Sequence, residues 1–128
     1  MSTAVTEGHV EVVRVYEDPG RSPGEHRVLV DRLWPRGLTK PSVDFDEWVK
    51  DVAPSTELRR WYSHDPARFG EFARRYRAEL AGEPGASAVS KLAELAASRR
   101  LVLLTATRDV ECSGAAVLQK VVVGPGAR

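Results

Sequence analysis

Two apolar runs constrain the fold more than anything else in this chain. Val28-Leu29-Val30 and Leu101-Val102-Leu103-Leu104 are continuous, not alternating. A strand that is apolar at successive positions must be covered on both faces, the condition of a strand inside a parallel sheet. Helical patterns fill the sequence between the two runs. Strand, helices, strand, helix predicts an α/β fold: a single small layered domain with a short, mainly parallel sheet flanked by helices, its two core strands adjacent or one apart. At 128 residues the chain fits one domain. A chain of that length buries roughly two-thirds of its unfolded surface and needs no disulfide staple.

The flanking signals define the other elements. Residues 1–8 are small and polar and are expected to form a flexible tail, with the domain over 9–123 and a second tail over 124–128. Residues 10–16 alternate around Val13 and Val15 and predict a first strand. Asp18-Pro19-Gly20 and Ser22-Pro23-Gly24 mark a turn-rich loop before the second strand at 26–31. Pro35, Gly37 and Pro41 exclude regular structure over 33–41. Phe45 and Trp48, three apart, suggest a helical turn. Ser55 caps a helix to about residue 63, with Leu58, Trp61 and Tyr62 inward. Asp65 followed by Pro66 is a second helix start, and Phe69, Phe72, Tyr76 and Leu80 give it an apolar stripe that ends near Gly82. A further helix spans 87–98, a strand begins at Leu101, and a last helix starts near Ser113 and ends at Gly124-Pro125-Gly126.

Composition excludes several classes of function. A net charge of +1 argues against nucleic-acid binding driven by bulk charge and leaves only a local basic patch. The single cysteine, Cys112, excludes an internal disulfide and a cysteine-based zinc site. It also fits a reducing compartment. Three scattered histidines make no metal signature, and no cofactor is implied. No segment approaches the ~20 apolar residues of a membrane span or resembles a secretory leader, so a cytoplasmic location is expected.

The run from Arg27 to Gly37 reads Arg-Val-Leu-Val-Asp-Arg-Leu-Trp-Pro-Arg-Gly. With Arg14 and Tyr16, Trp48, the stretch from Pro54 to Arg59, His64, Phe72, Tyr76, Glu79-Leu80, Leu101–Leu104, Ala106 to Asp109, and Ala115 with Val117-Leu118, it resembles the YeaO-like family of small bacterial proteins, domain of unknown function 488. The resemblance spans roughly residues 11–122. It implies a single cytosolic α/β domain and no established activity. Relatives commonly carry His-Asn-His-Ala where this chain has Cys112-Ser113-Gly114-Ala115, so a histidine-dependent part of a site would be lost or replaced here.

Both core strands end in charge. Asp31-Arg32 follows the second strand and Arg108-Asp109 follows the last. Exits of parallel neighbours share one sheet edge, where α/β folds place their ligands. The start of the final helix offers free N–H groups and a positive dipole end. Arg32, Arg36 and Arg108 are candidates to grip a small anionic ligand, a phosphate or carboxylate, bidentately. Trp34 is a candidate wall, and Ser113 and Gly114 a candidate seat. The competing reading is structural: Arg32 pairs with Asp109 and Arg108 with Asp31. A second functional reading is a hydrolase or transferase with Asp31, His64 or Asp109 as acid–base groups, or with Cys112 as a thiol activated by the helix dipole and Arg108. A third is a non-catalytic interaction or regulatory domain. The arginines over 59–77 read as a solvated helix face balanced by Glu57, Glu71 and Glu79.

Overall fold

The computed structural model describes residues 4–7 and 9–124. The strands are β1 (Ala4–Glu7), β2 (Val10–Arg14), β3 (Glu25–Leu29), β4 (Glu47–Trp48) and β5 (Arg100–Thr105). The helices are α1 (Thr56–Tyr62), α2 (Phe69–Ala81), α3 (Gly85–Ser98) and α4 (Gly114–Val123). The strands form one sheet in the order β1-β2-β5-β3-β4. β2, β5, β3 and β4 run parallel, and β1 pairs antiparallel with β2.

β5 lies at the centre, so every residue from Leu101 to Leu104 is buried. Leu101 and Leu103 join Val10, Val12, Val28 and Val30 under the helices. Val102 and Leu104 join Val13, Val15 and Leu29 on the opposite face. A period of two in side-chain direction, applied to a strand covered above and below, accounts for the unbroken apolar run. The two faces are covered differently. All four helices pack on one face through Leu58, Tyr62, Phe72, Tyr76, Leu80, Leu92 and Leu118. The other face is covered by the segment between β3 and β4, through Trp34, Leu38, Val43 and Phe45. Helices therefore flank the sheet on one side only.

Most local signals behave as the sequence predicts. The Ser55 hydroxyl accepts from Leu58 N–H and caps α1. Asp65 caps a 3-10 turn, Pro66–Arg68, that leads directly into α2. The Ser113 hydroxyl accepts from Ala116 N–H at the start of α4, and Gly124 closes it with φ +72°. Glu79 on α2 accepts from both Ser55 N–H (2.9 Å) and Ser55 Oγ (2.6 Å), which ties α1 to α2.

Val15 and Tyr16, expected in the first strand, belong to a 3-10 turn, Val15–Glu17, and two further segments differ from expectation. Phe45 and Trp48 do not share a helical turn. Glu47–Trp48 extends alongside Val28 and Leu29 as β4, and a 3-10 turn, Lys50–Val52, follows. Their spacing of three arises because both rings close on Trp34, with centroids 5.6 and 5.5 Å away. Ala4–Glu7, expected to be part of a flexible tail, pairs with the edge of β2. An uncovered β2 edge would expose unpaired N–H and C=O groups, and β1 satisfies them. The tail expectations for residues 1–3, for Gly8 and for residues 125–128 lie outside the described residues. No helix among the described residues is long and apolar enough to cross a membrane.

At the amino-terminal end of β3, charge is matched inside the protein. Arg27 is only 1% exposed. It donates to Glu25 Oε1 at 2.9 Å, to Asp18 Oδ2 and to the Asp44 carbonyl at 2.7 Å. Arg21 bridges Asp44 (2.8 Å) and Asp46 (3.2 Å). His26 Nε2 sits 2.6 Å from Glu47 Oε2 and links β3 to β4. The hydrogen bonds from Arg21 hold the Asp44 carboxyl below its ordinary range. Burial opposes ionisation of Asp46, but the Arg27 N–H and Arg21 outweigh it, so its pKa also falls.

Candidate functional site

The carboxyl ends of β3 and β5 open into a cleft of about 1060 Å³. These strands are direct parallel neighbours. Their exits, Asp31-Arg32 and Arg108-Asp109, therefore emerge at the same sheet edge, with α1 and the start of α4 on the helical side. Every candidate residue from the sequence lines this cleft: Asp31, Arg32, Trp34, Arg36, His64, Arg108, Asp109, Cys112, Ser113 and Gly114.

Asp31 forms part of the floor. Its carboxylate accepts from Thr105 Oγ1 at 2.8 Å and from Ala106 N–H at 2.7 Å, both at the exit of β5. Burial pushes its pKa up, while those two donors and the positive charge of Arg59 work in the opposite direction. Asp31 thus clamps the two strand exits together. Its carbonyl also accepts from Trp48 Nε1 at 2.6 Å.

The ion pairs of the competing reading, Arg32 with Asp109 and Arg108 with Asp31, are not formed among the described residues. Arg32 donates instead to the Pro54 carbonyl (3.3 Å) and the Ala53 carbonyl (3.2 Å), just before α1. Arg108 and Arg36 are exposed. Two arginines that sequence reasoning assigned to a solvated face, Arg59 and Arg60, also line the cleft from α1. Leu58 and Tyr62, four apart, bury one side of that helix. Burying that side carries Arg59 and Arg60 over the sheet edge. Five arginines and two aspartates therefore line one cleft. Among the described residues, none of the five arginines has a carboxylate within 4 Å; Arg14, Arg21, Arg27, Arg68, Arg74 and Arg75 are each paired, and Arg77, Arg99 and Arg100, which lie outside the cleft, are likewise in no ion pair.

The helix seat is more occupied than its sequence suggests. Ser113 is buried, and its hydroxyl is used twice, accepting from Ala116 N–H and donating to the Val110 carbonyl at 2.6 Å. A Cβ on Gly114 would lie 3.5 Å from Pro54 Cγ and Tyr76 Cε2, so its smallness serves packing on that side. Trp34 is pinned by its indole N–H to the Leu38 carbonyl at 2.6 Å. His64 and Ser63 both adopt left-handed backbone conformations, with φ +56° and +49°, where α1 ends. The His64 ring centroid lies 6.1 Å from that of Tyr62. Tyr62 stacks on Phe72 at 4.2 Å and donates to the Cys112 carbonyl at 2.6 Å. Burial raises its pKa to about 12.

The alternative reading of Cys112 as an activated thiol finds no support in its surroundings. Partial burial pushes its pKa up, and the carboxylates of Asp109 and Glu111 push the same way. No group of three or more His, Cys, Asp or Glu side chains among the described residues could hold a metal ion.

With this geometry in place, comparison with known proteins defines the family. Residues 9–126 match the family model described as the inactive DUF488-N3 subclade. The chain belongs to that subclade. An uncharacterized protein of Mycobacterium tuberculosis (strain ATCC 25618 / H37Rv) is 48% identical over 120 residues, covering 94% of this chain and 98% of the relative. The uncharacterized protein YeaO of Escherichia coli (strain K12) is 37% identical over 110 residues, covering 86% of this chain and 93% of YeaO. The YeaO-like resemblance is thereby confirmed. No solved structure matches the chain.

Proposed function

We propose that this DUF488-N3 protein binds a small anion, a phosphate or carboxylate, in the cleft at the carboxyl edge of its sheet and does not transform it. The observation that carries the reading is the gathering of five arginines, none with a carboxylate within 4 Å among the described residues, around one cleft. Arg32 and Arg36 come from the β3 exit, Arg59 and Arg60 from α1, and Arg108 from the β5 exit. Like charges gathered from three segments repel one another. An anion entering between them relieves that repulsion and gains charge-assisted hydrogen bonds. The cleft lies where parallel sheets place ligands, and the N-terminus of α4 borders it.

Two observations favour binding over catalysis. The subclade is described as inactive. The Cys112-Ser113-Gly114 run, where the family resemblance implies histidines, has a thiol raised in pKa and a Ser113 hydroxyl already used as a cap.

Arg59 and Arg108 are exposed and make no ion pair, so their removal leaves the core intact. Each charge-assisted bond lost costs about 1.5–3 kcal/mol. The double variant Arg59→Ala/Arg108→Ala should therefore weaken inorganic phosphate by roughly 100-fold or more. Isothermal titration checks this, with sodium chloride at matched ionic strength as the control. Equal binding by the parent and the double variant, or a signal that chloride reproduces, would sink the proposal.

A further inference from the structure

Among the described residues only two large apolar side chains are exposed, Tyr16 at 40% and Leu33 at 62%. Both line the arginine-bearing cleft. Single exposed apolar residues scattered over a surface need no explanation. Here both line a cleft that also holds five arginines with no carboxylate within 4 Å among the described residues. Pro35, Pro54 and Trp34 extend the same apolar wall.

The wall is held rigidly. Tyr16 donates through its hydroxyl to the Arg36 carbonyl at 2.7 Å, and the Arg14 guanidinium sits 4.8 Å from its ring centroid. Trp34, next to Leu33, is fixed by its hydrogen bond to Leu38 and by edge-on contacts with Phe45 and Trp48. A preordered apolar surface loses little freedom when a ligand covers it. A cleft of about 1060 Å³ also exceeds what a bare oxyanion fills and matches the upper size of pockets for organic ligands.

Resting on the anion-site reading, we infer that the natural ligand is an amphipathic anion: a phosphate or carboxylate head joined to an apolar body. The head meets Arg59, Arg60 and Arg108, and the body covers Leu33 and Tyr16. A second copy of the chain is the poorer occupant. A two-fold contact over this cleft would place two linings of net positive charge, five arginines against two aspartates in each, face to face, and like charges across an interface repel.

The test compares matched pairs by isothermal titration: inorganic phosphate against phenyl phosphate, and acetate against phenylacetate. In at least one pair the aryl member should bind about tenfold tighter or more, and the pair with the larger gain names the head group. In the Leu33→Ser variant that ratio should fall toward one. Leu33 makes no core contact, so the unliganded melting temperature reports whether the variant is folded. Ratios near one in the parent, or a ratio unchanged in Leu33→Ser, overturn the inference while leaving the anion site standing. Failure of all four probes to bind removes the anion site and this inference together. A parent dimer by light scattering that Leu33→Ser converts to monomer assigns the apolar lip to self-association and also overturns the inference.

Discussion

The two ends of β3 use arginine in opposite ways. At the amino-terminal end Arg27 is buried, and Glu25 and Asp18 neutralise it, while Arg21 holds Asp44 and Asp46. At the carboxyl-terminal end Arg32 and Arg36 join Arg59, Arg60 and Arg108 with no carboxylate within 4 Å among the described residues. The difference follows from solvent. A buried charge must be paired or the fold fails. A charge at the mouth of an open cleft keeps its water, so several can coexist at little cost. The matched end ties the β3–β4 segment to the sheet. The unmatched end is available to a partner from outside.

The largest effect should come from the matched end. Arg27→Ala leaves Glu25 and Asp18 without their buried cation and should cost about 3–5 kcal/mol. The urea midpoint reads that loss. A midpoint close to the parent's would show that the network contributes no more than a surface pair, and the contrast between the two ends would collapse.

Asp31, the buried carboxylate at the unmatched end, gives a sharper test. Its folded pKa is raised above the ordinary carboxyl value of 3.8. The native state therefore holds the Asp31 proton at pH values where the unfolded chain has released it. Its contribution to stability is complete below the unfolded value and declines as pH rises through the folded value. Asp31→Asn removes that decline. The parent's stability should fall relative to the variant's from about pH 4 upward, with a slope of at most about 1.4 kcal/mol per pH unit, the limit for one proton. Denaturation curves collected between pH 4 and 7 check this, and parallel pH profiles would contradict it.

The smallest effect belongs to a solvent-exposed pair. Hydrogen bonds from Arg74 and Arg75 lower the Glu71 pKa to about 2. The resulting stabilisation is present above the unfolded pKa and lost as pH falls through about 2. Glu71→Gln should lower the melting temperature slightly at pH 7 and leave no difference near pH 2. A difference that persists at pH 2 would mean that Glu71 acts through packing, not charge.

Local rules were legible where one residue type has one strong reason to stand at its position. Ser55 and Asp65 cap as their sequence predicts, because a short side-chain oxygen before a helix has N–H donors waiting for it, and the same chemistry makes Ser113, read from sequence as a ligand seat, the cap of α4. The continuous runs in β3 and β5 signalled a parallel sheet for an equally direct reason. β4 was not legible, since two residues pairing with a distant strand leave no periodic trace. Arg59 and Arg60 were missed because charge on an amphipathic helix reads as a solvated face, although Leu58 and Trp61 flank the pair in sequence. Only the packing of Leu58 and Tyr62 shows which way that helix turns them. Cys112 stands before a helix, which leaves a reactive and an inert thiol both open in sequence; its burial and the carboxylates of Asp109 and Glu111, which depend on the fold, raise its pKa.

Apolar continuity and capping chemistry dictated an α/β layer with two charged strand exits on one edge, since these depend on neighbours a few residues away. Which arginines would find carboxylates and which would be left facing water was decided only when segments far apart in the chain were packed together. The strength of a charge depends on what surrounds it in space, and a linear order of residues does not contain that information.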